Sequence, residues 1–280
     1  MEDNKRYWAL ILGASSGFGE ATALQLAKDG YNIAGVHLDR QVTMPNVHRI
    51  TKQIEAWGVK AIFFNVNAAD SYKREEVINS LKNEFAGKSL IKILLHSLAF
   101  GTLRPFVQIE EDKSGITPIT KAQMEMTLDV MAHSLVYWVQ DLIKHNLLER
   151  NGRIFAMTSS GSHTSIPHYG AVSAAKAALE SHIRQLTLEL GPMNIGVNAI
   201  MAGVTDTPAL RKIPGNKAML KVAKLKNPRN RWTTPEDVAR IISLLSREGG
   251  EWISGSTIHA DGGEDIVNFV GQGLPDLDKD

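Results

Sequence analysis

Three side chains within an eighteen-residue stretch have the types and spacing for chemistry: Ser159, Tyr169 and Lys176, in the run TSSGSHTSIPHYGAVSAAK. A free phenol has a pKa near 10, about three units above neutrality. A nearby ammonium stabilises its anion and tunes it as a donor to an oxygen that gains charge during a reaction. Tyr169 and Lys176 are seven residues apart, two helical turns, and so share one helix face. Ser159 has two readings that stand side by side: a third catalytic hydroxyl, or, with Ser160, a strand-end hydroxyl bonding local backbone.

A second stretch suggests what reaction would charge that oxygen. GASSGFG, Gly13 to Gly19, has the pattern G-x-x-x-G-x-G. It lies between an apolar run, Trp8 to Leu12, and a segment with apolar residues at helical spacing, Gly19 to Asp29. Glycine allows a sharp reversal and close backbone approach to a pyrophosphate, and a helix N-terminus offers free N–H groups and a positive dipole end. Gly13, Gly17 and Gly19, with Ser15 between them, are therefore candidate dinucleotide contacts. Hydride delivered from a nicotinamide to an enone or a ketone would leave its negative charge on oxygen, where Tyr169 could meet it.

The elements that must position these groups alternate regularly. Expected strands fall at Trp8–Leu12, Asn32–Leu38, Lys60–Val66, Ile91–His96, Arg153–Thr158, Gly196–Ile200 and Ser256–Ala260. Expected helices fall at Gly19–Asp29, Arg49–Trp57, Tyr72–Phe85, Lys121–Asn146, Tyr169–Leu190 and Pro235–Ser246. This alternation predicts an α/β fold: a single-domain, Rossmann-like, doubly wound parallel sheet with helices on both faces, spanning residues 1–280. Two segments break the rhythm after strands, at the sheet edge where ligands bind. One is Thr102–Thr120. The other, about 208–232, is a basic, Gly- and Pro-punctuated stretch expected to form a substrate lid or, more blandly, a surface insertion.

Composition excludes several classes. With 31 basic and 30 acidic side chains, net charge +1, the chain has no electrostatic footprint for nucleic acid or a membrane surface. The absence of cysteine removes disulfides and thiolate chemistry and is compatible with a reducing cytosol. The apolar run before Gly13 is too short for a membrane span and lacks a signal-peptide pattern, so a cytoplasmic location is expected. His163 and His168 lie near Tyr169, but without HExxH or a tight carboxylate–histidine cluster no metal site is expected. The G-x-S-x-G match at Gly13–Gly17 falls inside the glycine turn itself, so no separate nucleophile elbow argues for a Ser-His-Asp hydrolase.

From about Tyr7 to Gly263 the chain resembles the short-chain dehydrogenase/reductase family. It departs from the common Y-x-x-x-K spacing, because Val172 stands four residues before Lys176. Its Y-x6-K spacing resembles the enoyl-acyl-carrier-protein reductases, a divergent branch. The strand end His96-Ser97-Leu98-Ala99-Phe100-Gly101, the Asp129–Leu135 run of a central helix lacking the ketoreductases' relay asparagine, and IPHYGAVSAAKAALE resemble the same branch. Ser159 is the ketoreductase residue where many enoyl reductases carry a second tyrosine.

The resemblance implies reduction of the 2,3 double bond of an enoyl thioester, carried on acyl carrier protein or coenzyme A, with Tyr169 on the enolate oxygen and Lys176 on the nicotinamide ribose. It places Asn65 and Val66 at the adenine, although Asn65 could simply cap its strand. It adds Ser16 and Phe18 on the phosphate and nicotinamide side, and Ser97, Leu98, Ala99, Gly203 and Thr205, to the cofactor contacts, with the Val204 backbone at the carboxamide and Thr207 at the pyrophosphate. It also implies a homotetramer, consistent with apolar residues on more than one face of the helices near Val130–Ile143 and Ala171–Leu190.

Cofactor choice turns on His37, Asp39 and Arg40. An acid would bind the ribose hydroxyls of NAD, whereas an arginine would grip the 2′-phosphate of NADP. The family's NAD-selecting acid falls at His37, and the displacement of Asp39 from it favours Arg40 and NADP(H) over NAD(H). An Asp39–Arg40 surface pair without a ligand role remains open. Lys217, Lys221, Lys224 and Lys226 could attract a phosphopantetheine or an acidic carrier, or form a solvated helix face. Carbonyl reduction and a non-catalytic dinucleotide-binding regulator are the alternatives to enoyl reduction.

Overall fold

The computed structural model describes residues 6–86, 88, 90–108 and 117–268. Seven strands form one parallel sheet in the order β3-β2-β1-β4-β5-β6-β7. They are β1 (Trp8–Leu12), β2 (Asn32–His37), β3 (Ala61–Asn65), β4 (Ile91–His96), β5 (Leu148–Thr158), β6 (Gly196–Ala202) and β7 (Thr257–Ala260). The helices are α1 (Gly17–Lys28), α2 (Met44–Glu55), α3 (Ser71–Glu84), α4 (Lys121–Leu128), α5 (Ser134–Lys144), α6 (Gly170–Leu190), α7 (Asn216–Lys226) and α8 (Pro235–Leu245).

Every residue of β1 is buried, because helices cover both faces of a parallel sheet and leave no solvated side for polar residues. Alternate strand residues feed two cores. One contains Leu10, Leu12, Leu94 and Ala156 with Trp138, Val172 and Leu179. The other contains Ile11, Ile93, Leu95 and Phe155 with Leu26, Ile50 and Ile242. The indole of Trp138 donates to Ala68 O at 2.9 Å, satisfying its one polar group inside the first core.

The chain runs outward from β1 through β2 to β3, then returns to β4 on the other side of β1. This reversal makes a crevice at the carboxyl ends of β1 and β4. The glycine turn leaves β1 there, and the Ser97–Phe100 segment leaves β4.

The expected helix 121–146 is interrupted. Asp129–His133 forms a π-helical segment between α4 and α5, a feature often found where a helix serves a site. α2 begins at Met44, earlier than expected, with Pro45 in its first turn, where a missing N–H is harmless. β5 begins earlier as well. Its register against β4 shifts between the Ile91 and Ile93 pairings, and Asn151 takes a positive φ of 57°. Residues 208–232 contain a short 3-10 turn, Leu210–Lys212, and α7. Residues 109–116 of the 102–120 connection lie outside the described residues. Among the described residues, no helix is long and apolar enough to cross a membrane.

Candidate active site

Gly13 takes a φ of 92° and Gly17 one of 55°, which side chains resist. A Cβ at Gly13 would strike the Ser97 carbonyl, and one at Gly19 would strike the Gly13 carbonyl. The turn is thus folded tightly on itself and on the end of β4. Ser16, the N-cap of α1, has extended backbone and makes no side-chain cap. The first N–H groups of α1 therefore lack the side-chain acceptor that would usually cap them, which suits a pyrophosphate. Thr207 approaches from the end of β6: its Cγ2 would lie 3.4 Å from a Cβ on Gly17, and its Oγ1 accepts from Leu210 N at 3.2 Å. Phe18 packs, half-buried, on the second core.

At the end of β2 the Asp39 carboxylate is already engaged. His37 Nδ1 lies 2.9 Å from Asp39 Oδ2. Burial opposes the Asp39 charge, but hydrogen bonds from Ser15, Thr43 and His37 outweigh it and hold the carboxyl below its ordinary value. The His37 imidazole moves downward, because its burial outweighs its contact with Asp39. Asn65 pins the same corner: its Oδ1 accepts from Asp39 N at 2.9 Å and its Nδ2 donates to Asp39 O at 3.0 Å. The amide of Asn65 thus fastens β3 to the end of β2. Val66 N donates to His37 O at 2.8 Å. The Arg40 side chain is exposed and has no partner among the described residues.

The catalytic candidates meet at the start of α6. Tyr169 is its N-cap, and Lys176 lies two turns on with its side chain buried. Lys176 Nζ donates to Met157 O at 2.6 Å. Burial pulls its pKa down to about 8, against the partial support of Glu180. Burial also raises the Tyr169 pKa, while the Ser159 hydroxyl that faces the phenol pulls it back. That approach falls short of an aligned hydrogen bond, because Ser159 Oγ, itself buried, has no partner in hydrogen-bond geometry. Ser159 thus points at Tyr169 rather than capping local backbone. The phenol stays protonated at neutral pH and can donate.

Sequence reasoning missed Gly161. A Cβ there would lie 2.7 Å from Tyr169 Cε1 and 3.2 Å from Ser159 Oγ, so the glycine leaves room for the ring. Phe106 packs against Gly170, the first residue of α6, with its Cζ 2.5 Å from where a Cβ on Gly170 would be. Phe100 and Phe106 are more than half exposed and give the mouth an apolar rim.

The corner after β6 departs from expectation. Val204 N donates to Glu264 Oε1 at 3.1 Å, so the backbone donor assigned to a carboxamide already has a carboxylate acceptor. Glu264 is buried, its pKa is raised chiefly by burial, and its Oε2 has no partner. Gly203 permits this approach, since a Cβ there would lie 2.7 Å from Glu264 Oε2. Thr205 Oγ1 donates to Gly203 O at 2.9 Å and stiffens the loop. Glu264 follows the Asp261-Gly262-Gly263 turn, and no local pattern marks it as a partner of a loop sixty residues away. Among the described residues, no cluster of three or more metal-ligating side chains occurs.

A family profile described as Enoyl-(Acyl carrier protein) reductase matches residues 13–264. The chain belongs to that family. It is an oxidoreductase of the short-chain dehydrogenase/reductase type. It is 30% identical over 183 residues to the enoyl-acyl-carrier-protein reductase (NADH) FabI of Aquifex aeolicus, a match spanning 65% of each chain. The crystal structure of the Aquifex aeolicus enzyme superposes with a TM-score of 0.80 at 24% identity, covering 95% of this chain and 99% of that one. The relatives are mixed in activity. A cyclohexanol dehydrogenase from a Rhodococcus species is 27% identical over 269 residues, covering 91% of this chain and 94% of its own. A 3-oxoacyl-acyl-carrier-protein reductase from Brucella melitensis, solved with NAD, superposes with a TM-score of 0.78 at 23% identity, covering 94% and 99%.

Proposed function

We propose that this chain reduces the 2,3 double bond of an enoyl thioester, with NADPH preferred as the reductant. The observation that carries the reading is the Tyr169–Lys176 pair at the head of α6: a half-buried, protonated phenol and a buried ammonium at Y-x6-K spacing. The match of residues 13–264 to the enoyl reductase profile supports it.

The glycine turn, the uncapped start of α1, Thr207 and Lys176 suit a dinucleotide. The chemistry supplied with the cofactor is a hydride, accepted by the β-carbon of the substrate. Tyr169 donates its O–H to the thioester oxygen as that oxygen becomes an enolate, and the α-carbon then takes a proton to give the saturated thioester. A preorganised donor in a water-poor site contributes about 3 kcal/mol or more to such a step. Lys176 holds the ribose and keeps a positive charge beside the phenol. The preference for NADPH rests on Asp39, whose acceptor capacity is largely used by His37, Ser15 and Thr43, and on the neighbouring exposed Arg40.

The rim residues Phe100 and Phe106 suit an acyl chain. Lys217, Lys221 and Lys224, exposed on α7, suit the phosphates of coenzyme A or an acidic carrier protein. One observation favours carbonyl reduction as the second reading: the Ser159 hydroxyl faces the phenol, where it could share a ketone oxygen.

The test is cofactor oxidation with crotonyl-CoA, acetoacetyl-CoA and simple ketones, each with NADPH and with NADH. Turnover of crotonyl-CoA with a lower KM for NADPH is expected. Turnover confined to the ketones or the 3-oxo thioester would overturn the enoyl reading in favour of carbonyl reduction, and cofactor binding without turnover would point to a regulator.

A further inference from the structure

His96, at the end of β4, is completely buried, and the reaction described above gives it no task. Its Nε2 lies 2.8 Å from Ser134 Oγ. Ser134 Oγ in turn donates to Val130 O, inside the π-helical segment, at 2.8 Å. With its only proton committed to that carbonyl, the hydroxyl must accept from the ring. The neutral imidazole therefore carries its proton on Nε2 and leaves Nδ1 as a bare acceptor. Burial, and then the charge of Lys176, push the His96 pKa down to about 3, while its own backbone and that of Val130 pull it back only in part. The ring is neutral at any working pH.

Nδ1 is buried and has no partner in hydrogen-bond geometry among the described residues. Such an acceptor costs stability unless a donor reaches it. The donor at hand is the Lys176 ammonium. His96 pairs with Ala156 across β4 and β5, and the Lys176 ammonium sits on the carbonyl of Met157, the next residue of β5. One of its three N–H groups is placed there. The charge of Glu180 on α6 reaches this ammonium, and the ammonium's own charge reaches His96 on β4. Glu180 Oε1 is itself engaged by Thr158 Oγ1 at 2.6 Å.

We propose that His96 is a positioning residue for Lys176: its Nδ1 accepts from the ammonium, directly or through one water, and so aims the remaining N–H groups at the phenol and the cofactor ribose. The chain from Val130 O through Ser134 to His96 would then give the π-helical segment a purpose, since it fixes the tautomer on which the acceptor depends. The proposal rests on the reading of Lys176 as the amine that supports Tyr169 and the ribose.

The test follows the titration of Lys176 in the cofactor-free protein by NMR of 13Cε-labelled lysine, with the resonance assigned by its loss in Lys176→Met. An accepted hydrogen bond stabilises the ammonium, so removing the acceptor lowers its pKa. In His96→Leu the midpoint should fall by half a unit or more below that of the parent. His96→Asn, which returns an acceptor near Nδ1, should restore it. Ser134→Ala, which releases the tautomer, should lower it in between. It also carries the test if His96→Leu does not fold. An unchanged midpoint in a folded His96→Leu or Ser134→Ala protein would overturn the proposal, as would failure of His96→Asn to restore it. The underlying reading fails separately, if Lys176→Met retains cofactor affinity and turnover.

Discussion

At the residue scale the phenol of Tyr169 bears the most chemical weight. If the proposed enoyl reduction holds, Tyr169→Phe removes one preorganised donor from the enolate oxygen and leaves the ring against Gly161. Removing one such donor costs on the order of 10²–10³ in kcat, so a loss of that size is expected with cofactor affinity nearly unchanged, checked by steady-state kinetics beside calorimetry. Lys176 makes a pH prediction. Its folded pKa is lowered to about 8 from an unfolded value of 10.5, so the ammonium proposed to hold the ribose is lost as pH rises through about 8. Cofactor affinity should therefore weaken above that pH, and a flat affinity profile from pH 7 to 9 would remove the ammonium from ribose binding. For stability the sign is opposite. Between about 8 and 10.5 the unfolded chain holds a proton that the folded chain has released, so this group's contribution to stability rises with pH there. Tyr169 and Lys176 were legible in sequence because helical periodicity alone puts them on one face. Gly161 was not, because nothing local says that a ring eight residues away, at the cap of the next helix, will lie over it.

The same divide between local and distant contacts holds for the elements. Strands such as β1 and β4 were legible because a sheet covered on both faces demands continuous apolar runs. The start of α2 was obscured by Thr43, which offers no side-chain cap, and the π-helical segment by a sequence with neither proline nor glycine. The turn after β7 was the least legible, since its contact with the loop after β6 spans sixty residues of chain. Glu264 there holds the Val204 N–H that a carboxamide would use. If the carboxamide takes that donor, as the resemblance implies, binding breaks the bond, so Glu264→Ala should tighten the dissociation constant for NADPH several-fold in calorimetry. Glu264→Gln, which keeps an acceptor in place, should change it less. Weaker binding in Glu264→Ala would mean that the carboxyl holds the cofactor instead of competing with it.

At the scale of the whole molecule, one side carries apolar surface that a lone chain leaves in water. Trp252 is 91% exposed and Leu188 73%, with Ile253 beside Trp252 and Leu244 also exposed. Contacts in the chain bring the first three into one neighbourhood: Ser254 Oγ donates to Thr187 Oγ1 at 3.2 Å, and Thr187 also borders Gly255. Large apolar side chains exposed in one neighbourhood suit an interaction surface, and closed symmetric homo-oligomers are the commonest way to cover one. A homotetramer would have four times the 30.7 kDa mass of the chain. Light scattering behind size exclusion should report that mass for the parent and a smaller assembly for Trp252→Glu, which places a charge that burial would penalise at the patch. The variant should keep its cofactor affinity if the patch serves assembly alone, because Trp252 belongs to neither the glycine turn nor the Tyr169 pocket. An unchanged mass in Trp252→Glu would move the subunit contact elsewhere, to the outer faces of α5 and α6. A parent that scatters as a monomer would leave the patch for a different partner.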